Sequence, residues 1–288
     1  MTGSNGFIGK PTVDILRRLG HECVLIDKSS GTDIMDLESL YEKITSECDA
    51  VIHLAGLLGT SELIPDLNHA IDVNIKGTLN TLKATNIIGA SYVGITMPDV
   101  WPSPYQATRV AGQRIAEVFN NAYGLKVTHI KALNGYGPGQ LHGEGHPQKI
   151  IPTFSYNSWR GIPIPIWGDG NQTVDLVYVD EIAYRLVMAA INSVMGLKGV
   201  GSCEVYEAGS GIEASVLDVA HAVGEITGTT LVEFLPMRSG ELPNTKLCAT
   251  NFGKWTPGLV KKELSNIYNR DYTNERLLIK KSVEAYRP

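Results

Sequence analysis

Three glycines, Gly3, Gly6 and Gly9, stand at intervals of three in the opening stretch MTGSNGFIGK. That spacing suits a strand turning into a helix over a pyrophosphate. Small residues let the backbone approach the phosphates, and the first helical amides point at them. Turns also use glycine, so the triplet alone is a weak signal. An acid strengthens it. Asp27 closes the apolar run HECVLID about 20 residues on, where a carboxylate can bond both ribose hydroxyls of an adenosine. A turn or cap residue is the alternative reading of Asp27. As a ribose ligand it would repel a 2′-phosphate and favour NAD over NADP, a preference that Lys28 tempers. His142 and His146 lie in a Gly-rich loop, where solvated side chains fit better than a metal pair, and no metal site is expected.

The elements that must hold these residues follow from hydrophobic periodicity. HECVLID (21–27), DAVIHLAG (49–56), SYVGIT (91–96) and KVTHIKAL (126–133) read as buried strands. Amphipathic segments at 10–19, 37–47, 63–87 and 105–122 alternate with them. In the last of these, Val110, Ile115, Val118 and Phe119 recur at helical spacing. Such alternation predicts βαβ units, a doubly wound parallel sheet with helices on both faces. Beyond residue 135 the pattern loosens into the Gly/Pro/His-rich GYGPGQLHGEGHPQ and the turn-rich WRGIPIPIWGDGNQ, and TVDLVYVDEIAYRLVMAAI returns to strand and helix. The expected division is a nucleotide-binding domain of 1–135 with 171–196, and a smaller, partly interleaved substrate domain of 136–170 with 197–288. One element is short. Only Met1 and Thr2 precede Gly3, where a central strand is expected. The first strand therefore reads as truncated. Either the natural start lies earlier or the sheet has a gap that another segment fills.

Bulk properties exclude several classes. A net charge of −5 and a pI near 5.8 argue against nucleic acid or an anionic membrane as partner. Cys23, Cys48, Cys203 and Cys248 are scattered without C-x-x-C pairing and read as core thiols of a reducing compartment. No apolar run reaches transmembrane length and no signal peptide is evident, so a cytoplasmic protein is expected.

In sum the chain resembles the extended short-chain dehydrogenase/reductase family, the NAD-dependent nucleotide-sugar epimerases and dehydratases. Thr2 to Gly9 are similar to TGxxGxxG, and TDIMDLESL to the GDxxD stretch. HLAG (53–56) resembles the strand end beneath the cofactor, and NIKGTLNTL the N-x-x-G-T helix. LNGYGPGQ, IIPTF, PIWGDGNQTVDLVYVDEIA and RSGE (238–241) resemble N-x-YGP, (I/V)-P-x-F, GDGxQxRDxxYVxD and RPGD in the family's order. The resemblance implies a Rossmann-type fold and NAD as cofactor, held by Gly3, Asn5, Gly6, Phe7, Ile8, Gly9, Asp27, Lys28, Asp33, Ile34, Leu54, Ala55, Gly56, Asn74, Thr96, Tyr105 and Arg109. Asp33 would meet the adenine amino group and Ile34 the side of the ring. It also implies a homodimer, built through the helices of 63–87 and 105–122.

The family's chemistry moves a hydride from a sugar carbon to NAD. A tyrosine takes the hydroxyl proton, a lysine one helical turn on tunes it, and a Ser or Thr ending the preceding strand bonds the same oxygen. SPYQATRVAGQR supplies Tyr105, with Arg109 in the lysine's place. Arginine keeps the charge but is bulkier and planar. In ITMPDVWP, Met97 falls at the Ser/Thr position and Thr96 one residue before it, on the opposite face of a regular strand unless Pro98 bends the chain. Asp99 falls where dehydratases and decarboxylases place a working acid, though a turn or cap aspartate fits as well. Asn134 and Arg238 resemble the residues that contact the substrate diphosphate, while Val174 replaces a second arginine. Three functions remain open. The first is a nucleotide-sugar epimerase working through a C4 keto intermediate, with Tyr105, Arg109 and Thr96. The second is a 4,6-dehydratase or decarboxylase using Asp99. The third is a catalytically weakened, NAD-binding or regulatory protein.

Overall fold

The computed structural model describes residues 1–98, 100, 102–143, 146–238, 240–242 and 245–288. Four parallel strands form the main sheet in the order Ala50–His53, Ser91–Thr96, Val127–Ala132 and Ser202–Ala208. Their side chains alternate between two covered faces. Ile52, Val93 and Ile130 join the largest core, together with Ile15 of the Gly9–Arg18 helix and Ile182 and Leu186 of Val179–Val194. Val51 packs instead with Ile34 and Ala84, and Tyr92 with Leu82 and Ala116, beneath the Gly77–Ile88 and Pro104–Tyr123 helices. Burial on both faces explains why these strands read as near-continuous apolar runs.

The Pro104–Tyr123 helix shows how local sequence sets an element's ends. The Ser103 hydroxyl accepts from the Gln106 amide at 3.2 Å, Pro104 occupies the first turn, and Gly124 takes φ +72° just past the end. These are the standard start and stop signals of a helix. Tyr105 is thereby fixed in the first turn of this helix.

Two expectations change. The 21–27 run is extended but is not a ladder strand: only Ile26 bridges, to Thr2. Thr2 stands between Ile26 and His53 and is bridged parallel to both. Met1 and Thr2 complete what pairing exists. The Met1 ammonium donates to Val24 O (2.6 Å), Ile26 N to Met1 O (2.9 Å), Thr2 N to Ile52 O (3.0 Å) and Leu54 N to Thr2 O (3.2 Å). Val24 and Leu25 are exposed. The second change concerns 197–288. Ser202–Ala208, assigned from sequence to the smaller domain, pairs in parallel with Val127–Ala132 and belongs to the nucleotide-binding sheet. Its mixed composition, SCEVYEA, hid it from an apolar-run criterion because it forms the sheet's edge.

The remaining chain builds a smaller layer. Ile164–Trp167 pairs with Val232–Leu235, Asn134–Tyr136 with Leu176–Tyr178, and Thr173–Val174 with Ala214–Ser215. Helices Ile150–Trp159, Val216–Thr227 and Glu275–Glu284 pack together beside them.

Candidate active site

The glycine loop is a cradle that side chains would fill. Gly3 takes φ +69°, and a Cβ there would lie 2.6 Å from Ala55 N. A Cβ on Gly9 would lie 2.1 Å from Gly3 O. The helix begins at Gly9 with no side-chain cap and no acid in its first turn; Lys10 N is bonded to Gly6 O and Pro11 has no N–H, so the positive end of the helix and the Gly9 amide are what it offers an anion. Asn5, Gly6, Phe7 and Leu58 line a cavity of about 590 Å³ over this loop.

Asp27 caps the turn Lys28–Ser30, and it also accepts from the Asn5 amide of the loop at 2.9 Å. Burial opposes its charge. Hydrogen bonds from Ser29 and the Asn5 amide outweigh that and hold the carboxyl below its ordinary range. Asn5 in turn donates to the Ser29 and Ser30 hydroxyls, both at 2.8 Å. Lys28 is drawn aside to Asp33, at 3.2 Å. Ile34 is buried against Gly77, where a Cβ would meet its Cδ1 at 2.4 Å.

The loop after strand Ala50–His53 is pinned along its length. Ala55 N donates to the Thr2 hydroxyl, Arg109 Nη2 to Leu54 O (3.3 Å) and Leu57 N to Asn74 Oδ1 (2.7 Å). Asn74 returns a bond to Leu57 O and another to the Thr108 hydroxyl, each at 3.0 Å. It sits on a π-turn, Asp72–Lys76, a local widening of the helix often found at functional sites. His53 lies between the Thr2 and Thr78 hydroxyls. The Thr78 hydroxyl donates to Asn74 O, so it accepts from His53 Nε2–H, leaving Nδ1 to accept from Thr2. Burial, with Arg109 nearby, pulls the His53 pKa down to about 3 and keeps the ring neutral.

Tyr105 and Arg109 are brought together. Both are buried, with the guanidinium carbon 5.3 Å from the phenol ring centroid, and Arg109 Nε has no partner. Thr96 is fully buried, and its hydroxyl donates to Gln113 Oε1 at 2.9 Å, one turn beyond Arg109 on the Pro104–Tyr123 helix. Met97 takes the wall of the neighbouring pocket instead, as the pleat requires. Asp99 lies outside the described residues, as does Trp101.

That pocket holds about 210 Å³ and brings Asn134 and Arg238 to one place, with Met97, Lys149, Thr153 and Trp167. Arg238 pairs with Glu241 and lies 4.7 Å above the Trp167 ring. Asn134 Oδ1 and Thr153 Oγ1 are buried without partners. Val174 also lines this space, so the expected second arginine contributes no charge. Lys149 does. It stands at the N-cap of Ile150–Trp159, one helical turn before Thr153, and borders both cavities. Burial lowers its pKa, Glu62 opposes that, and Arg238 adds to it. Sequence reading missed Lys149. Its one signal was a lysine at a cap position that Ser, Thr, Asp or Asn normally fills.

This arrangement has counterparts. The description "NAD dependent epimerase/dehydratase family" matches residues 1–209. The chain belongs to that family. It is 29% identical to a UDP-glucose 4-epimerase of Mycolicibacterium smegmatis, over 91% of this chain and 94% of that one. It is 25% identical to a dTDP-glucose 4,6-dehydratase of Neisseria meningitidis, over 77% of this chain and 74% of that one. The fold matches the UDP-glucose 4-epimerase of Thermus thermophilus in complex with NAD, with a TM-score of 0.77 at 23% identity, covering 99% of this chain and 97% of that one. It also matches a dTDP-glucose 4,6-dehydratase of Streptomyces venezuelae with NAD bound, with a TM-score of 0.80 at 22% identity, covering 99% and 95%. As in the rest of the family, NAD is the cofactor. The cradle of Gly3 and Gly9, the uncapped helix start and Asp27 fit a dinucleotide. Among the described residues, no helix is long and apolar enough to cross a membrane.

Proposed function

We propose that the protein is an NAD-dependent nucleoside-diphosphate-sugar epimerase that oxidises the sugar at C4 and reduces the ketone again from the other face. Bound NAD supplies the hydride acceptor and then the donor. Tyr105 takes the C4 hydroxyl proton and later returns it. Arg109 holds a fixed positive charge beside the phenol. Lys149, Arg238 and Asn134 hold the diphosphate. The observation that carries this reading is the buried Tyr105–Arg109 pair, whose arginine bonds Leu54 O on the loop packed against Gly3 of the glycine cradle.

The test is turnover of UDP- and dTDP-sugars with NAD, followed by NMR of the C4 epimer. Tyr105→Phe should cut turnover by about 10²–10⁴-fold with NAD still bound. Unchanged turnover in that variant overturns the assignment. A 4-keto-6-deoxy product would mark a dehydratase instead. A second reading, a binding protein without turnover, is favoured by Thr96, whose hydroxyl is committed to Gln113. Tight NAD with no product from any sugar would support it.

We infer further that the protein is a cytoplasmic homodimer. Four free cysteines agree with a reducing compartment. Exposed Leu67, Ile71 and Val118 on the paired helices offer an apolar face for a second copy.

A further inference from the structure

An arginine beside Tyr105 needs room that a lysine does not, because the guanidinium is wide and planar. Gly56 supplies it. A Cβ built on Gly56 would lie 2.2 Å from Arg109 Nη2 and 2.8 Å from its Cζ. Neither side has an easy retreat. Arg109 keeps only 5% of its surface exposed, and Nη2 is tied to Leu54 O. The loop bearing Gly56 is tied at Ala55 by Thr2 and at Leu57 by Asn74. Arg109 Nε is left buried and unpartnered. A buried donor in that state is costly unless a ligand meets it.

We propose that Gly56 and Arg109 are a matched pair. The missing side chain at 56 is the positioning feature that lets an arginine act as the cation on the cofactor side of Tyr105, with Nε reserved for an acceptor on the bound dinucleotide. The proposal rests on the reading of Arg109 given above, but its readout is NAD affinity, so absence of turnover would not decide it.

The experiment is a double-mutant cycle of Gly56→Ala and Arg109→Lys. NAD dissociation constants are measured by titration, and thermal melts are recorded with and without NAD. A flexible lysine can withdraw from the new Cβ, whereas the arginine cannot. Gly56→Ala should therefore weaken NAD about tenfold more in the Arg109 protein than in the Arg109→Lys background, the worth of one charge-assisted hydrogen bond. The new Cβ would also lie 2.7 Å from Asn74 Oδ1. That clash is common to both backgrounds and cancels in the cycle. Equal losses in the two backgrounds, or no loss in the Arg109 protein, overturn the pairing. Should Gly56→Ala unfold the Arg109 protein but not the Arg109→Lys protein, the pairing is supported; unfolding in both counts against it.

Discussion

His129 offers a quantitative test of how the sheet interior treats charge. Its ring is 2% exposed, lies 6.0 Å from the Tyr92 ring, and leaves Nδ1 without a partner. Burial pulls its pKa from 6.5 to about 4, with Glu117 opposing only in part. The folded value is depressed, so the unfolded chain binds the proton first. Stability is fully present above pH 6.5 and is lost as pH falls toward about 4. The whole gap is worth about 3 kcal/mol, and about 2 kcal/mol of it should be gone at pH 5. The assay is urea unfolding of the native chain and of His129→Leu, at pH 8 and pH 5. Other buried groups also titrate. His53, pulled down to about 3, acts in the same direction, and Glu181, pushed up by burial to about 7, acts in the opposite one. Glu181 is common to the two proteins and drops out of the difference; His53, which His129 also lowers, keeps burial as its largest cause in the variant, so it too cancels to first order. The native chain should lose about 2 kcal/mol more than the variant between the two pH values. Parallel losses would refute the argument, whatever the variant's absolute stability.

Two further outcomes follow from the site and the surface. Lys149→Met should raise KM for a nucleotide sugar about tenfold, with a smaller effect on kcat, because a charge-assisted contact to phosphate is removed; an unchanged KM would remove Lys149 from the substrate site. Light scattering should give twice 31.2 kDa for the native chain and 31.2 kDa for Val118→Glu, whose site is 59% exposed on Pro104–Tyr123. A native monomer at micromolar concentration would sink the homodimer.

Much of the fold was legible because buried parallel strands announce themselves as apolar runs and their helices as periodic ones. Ser91–Thr96 and Pro104–Tyr123 lie within a residue of their expected ranges. The run 21–27 misled because composition records the wish to be buried, while a ladder needs paired backbone, and here only Ile26 bridges. Ser202–Ala208 was missed for the reverse reason: it has a partner but little apolar character. The site divides similarly. The turn chemistry of the glycine loop is local and readable. From sequence Thr96 reads as the hydroxyl helper through a bend at Pro98, which local pattern cannot test; the contact with Gln113 shows where the hydroxyl goes. Lys149 became visible only when the smaller layer folded back over the glycine loop.

The position of Lys149 on the rim of two cavities has a thermodynamic consequence. One ammonium faces both the space above the glycine loop and the space around Asn134. Anions arriving in the two spaces must share it, so their affinities cannot be independent. By linkage, any factor by which occupancy of one changes the affinity of the other operates equally in reverse. Where the two share a single ammonium, that coupling is antagonistic. The sharing sets a limit on how tightly both can be held together, and it gives each ligand a means of loosening the other.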